Sequence, residues 1–405
     1  MGAGPQADQR GNGSRPPGGL DRTRGAHGAT RRAAGATGGD SGAAPAAEGP
    51  GRRRGRWHGV MDHWTKQSSA LRSHVASKSP TQREVFRARE EAMENEQHAD
   101  AVEAADGRGH YMTVTAAIAA APANSEKRHV IYVRRGRYME FVFVGQEKRN
   151  LTLVGGGMDA TVIFGSRCCA DGFETPATAI LSVHGNGFLA RDLCENGQAV
   201  ALLLESDHLV LYRCALRGYQ DTLWCAGTSK QFFRECTITG TVDFVLGDAA
   251  AVFQECRIVA RRPFQGQENT VTAQGRESAD NKVGFCFQSC TVAADDDLAR
   301  AKGTVQTYLG RPWKPYSRVV FMECSISDVL NTNGWLPWEH QAPPETLYYA
   351  EYENDGPGAA VGGRVNWPGF HANLGESEAS SFTVVNFING NDWLPSTGVQ
   401  YTPGL

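Results

Sequence analysis

The feature that most constrains this chain is a pattern that returns every twenty-odd residues. Asp221, in GYQDTLW (218–224), and Asp243, in TVDFVLG (241–247), are 22 residues apart, as are Gln198 and Gln220. Cysteines at 194, 214, 236 and 256 advance by 20, 22 and 20. A chain whose polar and apolar side chains recur together at a fixed period of this length is a coil, each turn stacked on the one before. Stacking would gather the two glutamines and two aspartates into one small patch.

Five segments share a finer pattern: LYRCAL (211–216), FRECTI (233–238), FQECRI (253–258), FQSCTV (287–292) and FMECSI (321–326). Each has an aromatic residue or Leu, a Cys three positions on, and a β-branched or aliphatic residue two further. The alternation predicts strands with one face in and one out. The cysteine spacings from 214 onward are 22, 20, 34 and 34, so the longer turns loop out extra residues. Identical side chains about 4.8 Å apart are what parallel strand stacking produces. The expected fold is all-β, a right-handed parallel β-helix. The cysteines read as small buried hydrophobes; disulfide pairing stays open, and the absence of any CxxC gives no zinc pattern.

The 405 residues leave room for one large domain and a tail, and a net charge of −3 gives no signature of a nucleic-acid binder. The first 56 or so residues differ: Gly, Ala, Arg and Pro dominate, ending in GRRRGRW (51–57). Such a segment buries too little apolar surface to fold. The reading is therefore a disordered, low-complexity extension over 1–100, with an exposed helix at 83–97, and an ordered domain over 101–405. A basic arm for nucleic acid is the competing reading of the tail. No apolar run near the start has the length of a signal peptide, and no stretch of 18 apolar residues marks a membrane span.

Within the ordered part, MTVTAAIAAAP (112–122) predicts a short helix stopped by Pro122 that caps the open end of the coil. HVIYVRRGRYMEFVFV (129–144) reads as two strands about a Gly136 turn, and NLTLVGGGMDATVIFG (150–165) as strand, turn, strand. HGNGFLARD (184–192) imitates a dinucleotide fingerprint, but the ten or so residues before the next strand, 198–204, leave no room for the helix that site needs.

The chemistry falls to the carboxylates. Two close carboxyls ionise at separated pH values, so one serves as an acid while the other attacks or accepts a proton. The amides of Gln198 and Gln220 can donate to a developing oxyanion. That constellation suits acyl transfer with a carboxylate nucleophile. LGRPWKPYSR (309–318) offers the cation that selects between the acids: Arg311 lies 13 residues before Cys324, as Asp243 lies 13 before Cys256. The shared phase makes Asp243 the anion, paired with Arg311, and Asp221 the acid.

At these residues the sequence resembles the plant pectin methylesterase (pectinesterase) family, from about Asp106 to the C-terminus. GRYME (136–140), QAVAL (198–202), GYQDTLW, GTVDFVLG (240–247), VTAQGR (271–276) and LGRPW (309–313) match the family's blocks in order. The resemblance implies a parallel β-helix. It implies Asp243 as nucleophile, Asp221 as general acid then base, Gln198 and Gln220 as the oxyanion hole, Arg311 holding Asp243, and Trp313 lining the substrate cleft with Gln198 and Arg311. It implies hydrolysis of methyl esters on galacturonosyl residues of pectin (methylated homogalacturonan), with no metal or organic cofactor, by a secreted cell-wall monomer, and a proteinaceous pectinesterase inhibitor as a partner. Three departures stand out: Leu246 and Asp248 where the family commonly has Phe and Asn, Trp224 in place of Tyr, and a connection before Gln198 (191–202) about ten residues short. A polysaccharide-binding β-helix with impaired catalysis is the alternative that the short connection raises.

Overall fold

The structure, a computed structural model, describes residues 91–405 except Gln198 and Lys302. The basic tail and the start of the 83–97 helix lie outside the described residues. Three parallel sheets make up the body, with eleven, eight and seven strands. Along most of each sheet, hydrogen-bonded neighbours are three strands apart in the chain. Each turn of the coil thus contributes one strand to each sheet, which is a parallel β-helix, right-handed as parallel crossovers are.

One residue makes the corner from the first sheet to the second. Asp192, Arg213, Glu235, Glu255, Ser289 and Glu323 all have φ between 51 and 58°. A single left-handed residue swings the chain sharply, and each stands immediately before the first residue of the next side. The repeated segments are therefore not single strands: LYRCAL splits into Leu209–Tyr212 and Ala215–Arg217 about Arg213. After the corner, Cys214, Cys236, Cys256, Cys290 and Cys324 point into the core. Each of the last four thiols donates to a carbonyl of the preceding turn: Cys236 to Leu211 at 3.5 Å, Cys256 to Phe233 at 3.5 Å, Cys290 to Phe253 at 3.3 Å and Cys324 to Phe287 at 3.3 Å. All ten cysteines are free thiols. Cys194 does not belong to this column. Cys194 pairs with Ala215 and packs outside the core with Val162, while Leu193 takes the interior place. That turn is 21 residues long, so counting cysteines misplaces it by one.

Before the corner stands a ladder of rings. Phe233, Phe253, Phe287 and Phe321 stack with centroids 4.4, 4.5 and 4.4 Å apart and planes within 12°. The strand repeat forces this spacing, and burying each ring contributes roughly 1.5–3 kcal/mol. The two long turns place their extra residues at 261–268 and 275–283, then at 295–306 and 313–317, beside the third sheet.

The N-terminal end is closed by the helix Val114–Ala120, which buries Val114, Ala117 and Ile118 in the core. Thr113 caps it by accepting from the Ala116 N–H, and the Glu140 carboxylate accepts from the N–H groups of Val114 and Thr115, each at 2.9 Å. The last residue of GRYME is thus a helix anchor. The segment 129–144 supplies three strands, not two: His129–Val133, Gly136–Met139 and Val142–Val144. Gly136 opens the second strand, because a full turn of the coil needs one strand per sheet. Residues 91–97 are helical, and Glu91 accepts from Arg191 and Arg213, each at 2.8 Å. At the other end, Val384, Ile388, Trp393 and Leu394 cover the outer face of the first sheet, against Val210, Phe232 and Val252. No helix among the described residues is long and apolar enough to cross a membrane.

Candidate active site

The corner between the second and third sheets carries the aspartates. Asp221 lies between Ala215–Arg217 and Leu223–Cys225, and Asp243 between Thr237–Gly240 and Val245–Gly247. Leu223 pairs with Val245, so the two acids, each two residues earlier, stack on successive turns. Both are left-handed, with φ of 57° and 51°. Asp tolerates this conformation better than most side chains, and positions of this kind gather at working sites.

Arg311 leaves the strand Thr307–Pro312 and meets Asp243 with two donors. Its Nε donates to Asp243 Oδ1 at 2.9 Å and its Nη2 to Oδ2 at 2.6 Å. The geometry is that of a bidentate, charge-assisted pair. The phase count that suggested it was off by three: Arg311 pairs with Ala273 and Ala273 with Leu246, so Arg311 stands in register with Leu246. The long side chain spans the offset. Thr270, which the sequence reading missed, completes the shell: its hydroxyl donates to Asp243 Oδ1 at 2.6 Å and accepts from the Asp243 N–H at 2.8 Å. It directly precedes VTAQGR, but nothing in the repeat count marks it, because the loop 261–268 breaks the period there. Asp243 is only 4% exposed.

Asp221 has no such partner. Burial, then the neighbouring Asp243 charge, push its carboxyl up to about 8, against a smaller opposing effect of Arg311. At neutral pH it is therefore a protonated acid beside a guanidinium-bound carboxylate. The residue nonetheless keeps some contact with the cleft, so a bound substrate can reach the proton. Gln220 is exposed at the same corner, with its amide unengaged among the described residues. Gln198 lies outside them. Leu202 pairs with Leu223, a step of 21 and not 22.

The outward faces of the third sheet form the floor. Trp224 and Trp313 meet edge to face, centroids 6.3 Å apart. Gly275 permits this: a Cβ there would come within 2.9 Å of Trp313 Cε3. Trp338, also missed from sequence, lays its ring 4.4 Å from the Arg311 guanidinium. Trp335 is core, stacked on Tyr349 at 4.2 Å. Asp248 turns away from Asp243: it accepts from the Gly227 N–H at 2.8 Å. Its carboxyl is raised by burial, with Glu277 and Glu205 adding to the shift.

Glu195 pairs with Ile163 and Leu216 and points inward, fully buried. Neither carboxylate oxygen has a hydrogen-bond partner among the described residues. Burial pushes this carboxyl up to about 8.

The pectinesterase family model matches residues 100–391. A probable pectinesterase/pectinesterase inhibitor of Arabidopsis thaliana is 51% identical over 76% of this chain, and a pectinesterase/pectinesterase inhibitor of Prunus persica 48% identical over 75%. The chain spans 59% of the length of each of these two relatives. Among solved structures, pectin methylesterase from carrot aligns with a TM-score of 0.74 at 44% identity, covering 76% of this chain and 98% of that one. A pectin methylesterase in complex with a hexasaccharide aligns at 0.60 and 25% identity, covering 76% of this chain and 99% of the other. With a family match over most of its length and the aspartate–arginine corner those turns build, the chain belongs to the pectinesterase family.

Proposed function

We propose that the protein is a carboxylic ester hydrolase that removes methyl esters from galacturonosyl residues of pectin. The observation that carries this reading is the asymmetric acid pair: Asp243 clasped by Arg311 at 2.9 and 2.6 Å, and Asp221 raised to about 8 beside it. Asp243 Oδ attacks the ester carbonyl, and Gln220 with Gln198 donates to the oxyanion. As the C–O bond to methoxide breaks, Asp221 gives its proton to the leaving oxygen and methanol departs. The acyl group is then an anhydride on Asp243. Asp221, now a carboxylate, takes a proton from water, whose oxygen attacks the acyl carbon. The products are a galacturonic acid unit, which releases its proton to water, the Asp243 carboxylate and a reprotonated Asp221.

Trp313, Trp224 and Trp338 supply aromatic faces for sugar rings along the cleft. The named relatives, and the hexasaccharide complex of a neighbour at 25% identity, support pectin as the substrate. A pectin substrate places the protein's work outside the cell, in the cell wall, and the inhibitor in the relatives' names supports a proteinaceous pectinesterase inhibitor as a partner. The test is methanol release from methyl-esterified pectin by the purified chain. Steady release that stops in Asp243→Ala supports the reading; pectin binding with no methanol from the unaltered chain overturns it in favour of a binding protein.

A further inference from the structure

The corner between the third and first sheets holds a second concave site. Register stacks Arg128, Asn150, Gly187 and His208 there on successive turns, each just ahead of the first sheet. Gly187 is left-handed with φ 74°, and a Cβ on it would come within 2.4 Å of Asn150 Oδ1. The missing side chain makes room for the Asn150 amide at the pocket wall. The C-terminal segment walls it with Trp393, Ser396 and Thr397, enclosing about 250 Å³.

The lining is chemically two-sided. Arg128 uses one guanidinium nitrogen on Thr152 Oγ1 and the Gly187 carbonyl, both at 3.0 Å, and its other nitrogens are unengaged among the described residues. Arg149 is exposed and has no ion pair with a described residue. Asn186 accepts the Asp207 N–H at 2.9 Å, which leaves its amide N–H groups to donate. Asp207, next to His208, is occupied by the Lys230 N–H at 2.8 Å and by His208 Nδ1 at 3.0 Å. On the other side, Ser396 and Thr397 donate their hydroxyl protons to backbone carbonyls at 2.7 and 2.6 Å. Thr397 Oγ1 also accepts the Val399 N–H at 3.2 Å, so the Ser396 oxygen is the freer acceptor. His208 is held edge-on to Trp393, ring centroids 5.0 Å apart.

Cations and amide donors facing hydroxyl acceptors and an indole suit a ligand with a carboxylate and several hydroxyls on one ring. We propose that this pocket binds an unesterified uronate residue of an acidic polysaccharide, at a different corner of the helix from the aspartates. The choice of a uronate among hydroxy acids rests on the function proposed above, whose product it is. A site for de-esterified stretches would hold the polymer while the cleft works on esterified ones.

The test is calorimetric titration of the full chain and of Arg149→Glu with unesterified trigalacturonate, its methyl-esterified form and inorganic sulfate. The expected result is binding of unesterified trigalacturonate that weakens roughly tenfold or more in Arg149→Glu, with an unshifted thermal melt and unchanged methanol release from a short esterified substrate. Equal affinity of the two chains, or none in either, overturns the proposal. Sulfate that competes as well as the trisaccharide overturns the sugar-acid assignment. Absence of methanol release from the unaltered chain would count against the esterase reading alone, since the pocket is read by direct binding.

Discussion

Two buried carboxylates of this protein lie a few turns apart and live in opposite circumstances. Asp243 is 4% exposed and engaged by Arg311 and Thr270. Glu195 is fully buried among aliphatic side chains with no partner among the described residues. Burying an acid is unfavourable unless its oxygens are bonded. At Asp243 the fold supplies the bonds and keeps a charged, aimed group. At Glu195 it supplies none, and the group holds its proton. Burial by itself makes no site; the partners decide whether a buried acid works or only destabilises.

Replacing each acid should separate the cases. Asp243→Ala is expected to lower methanol release by roughly 10³-fold or more. It should also lower stability, because it leaves Arg311 without its anion. An Asp243→Ala protein as stable as the parent in denaturant titration would break the comparison. Asp221→Asn should cost about 10²–10⁴-fold in rate by removing the proton donor. In the parent, activity should fall as pH rises through about 8, where Asp221 loses its proton; a rate flat from neutrality to well above that value would remove Asp221 from the acid role. Arg311→Lys keeps the charge and loses the planar fork. A drop of about tenfold or more in kcat is expected, and unchanged kinetics would show that charge alone suffices.

Glu195→Leu should do the reverse of Asp243→Ala and stabilise the protein, by about 1–3 kcal/mol. The pH dependence carries the sign. The folded state holds a proton on Glu195 up to about 8, whereas the unfolded chain releases it near 4.5. Between those values the folded state binds more protons, so this residue's contribution to stability falls as pH rises and levels off above about 8. The parent's stability should therefore decline across that window more steeply than the variant's; parallel curves would place Glu195 in contact with water or a partner. The smallest effect is expected at Trp338→Ala. Loss of its face from Arg311 should reduce kcat by a few-fold, in keeping with about 0.5–1 kcal/mol for such a contact.

Much of this was legible in the sequence, and the misses have physical causes. The 22-residue step between Asp221 and Asp243 survives as a true register because no insertion separates their turns. The aromatic–x–x–Cys repeat became a stacked ring column and a thiol column, although each copy bends through a left-handed residue. Where a turn changes length, counting failed. Cys194 fell one place outside its column, and Arg311 sits three residues from the phase assigned to it. Thr270 stands in strand register with Asp243, but the inserted loop 261–268 stretches that step to 27 residues; Trp338 lies outside the strand repeat altogether.

The sequence by itself determined that the chain coils, which side of the five repeated segments faces inward, and that two aspartates lie on neighbouring turns. Those follow from period and polarity, which are local properties of a strand repeat. Only the tertiary structure decided how Arg311 reaches Asp243 across a three-residue offset, that Asp248 turns toward Gly227, and that Glu195 is buried without a partner among the described residues. Each depends on the reach of a side chain across turns and on the water excluded around it. A linear spacing encodes neither.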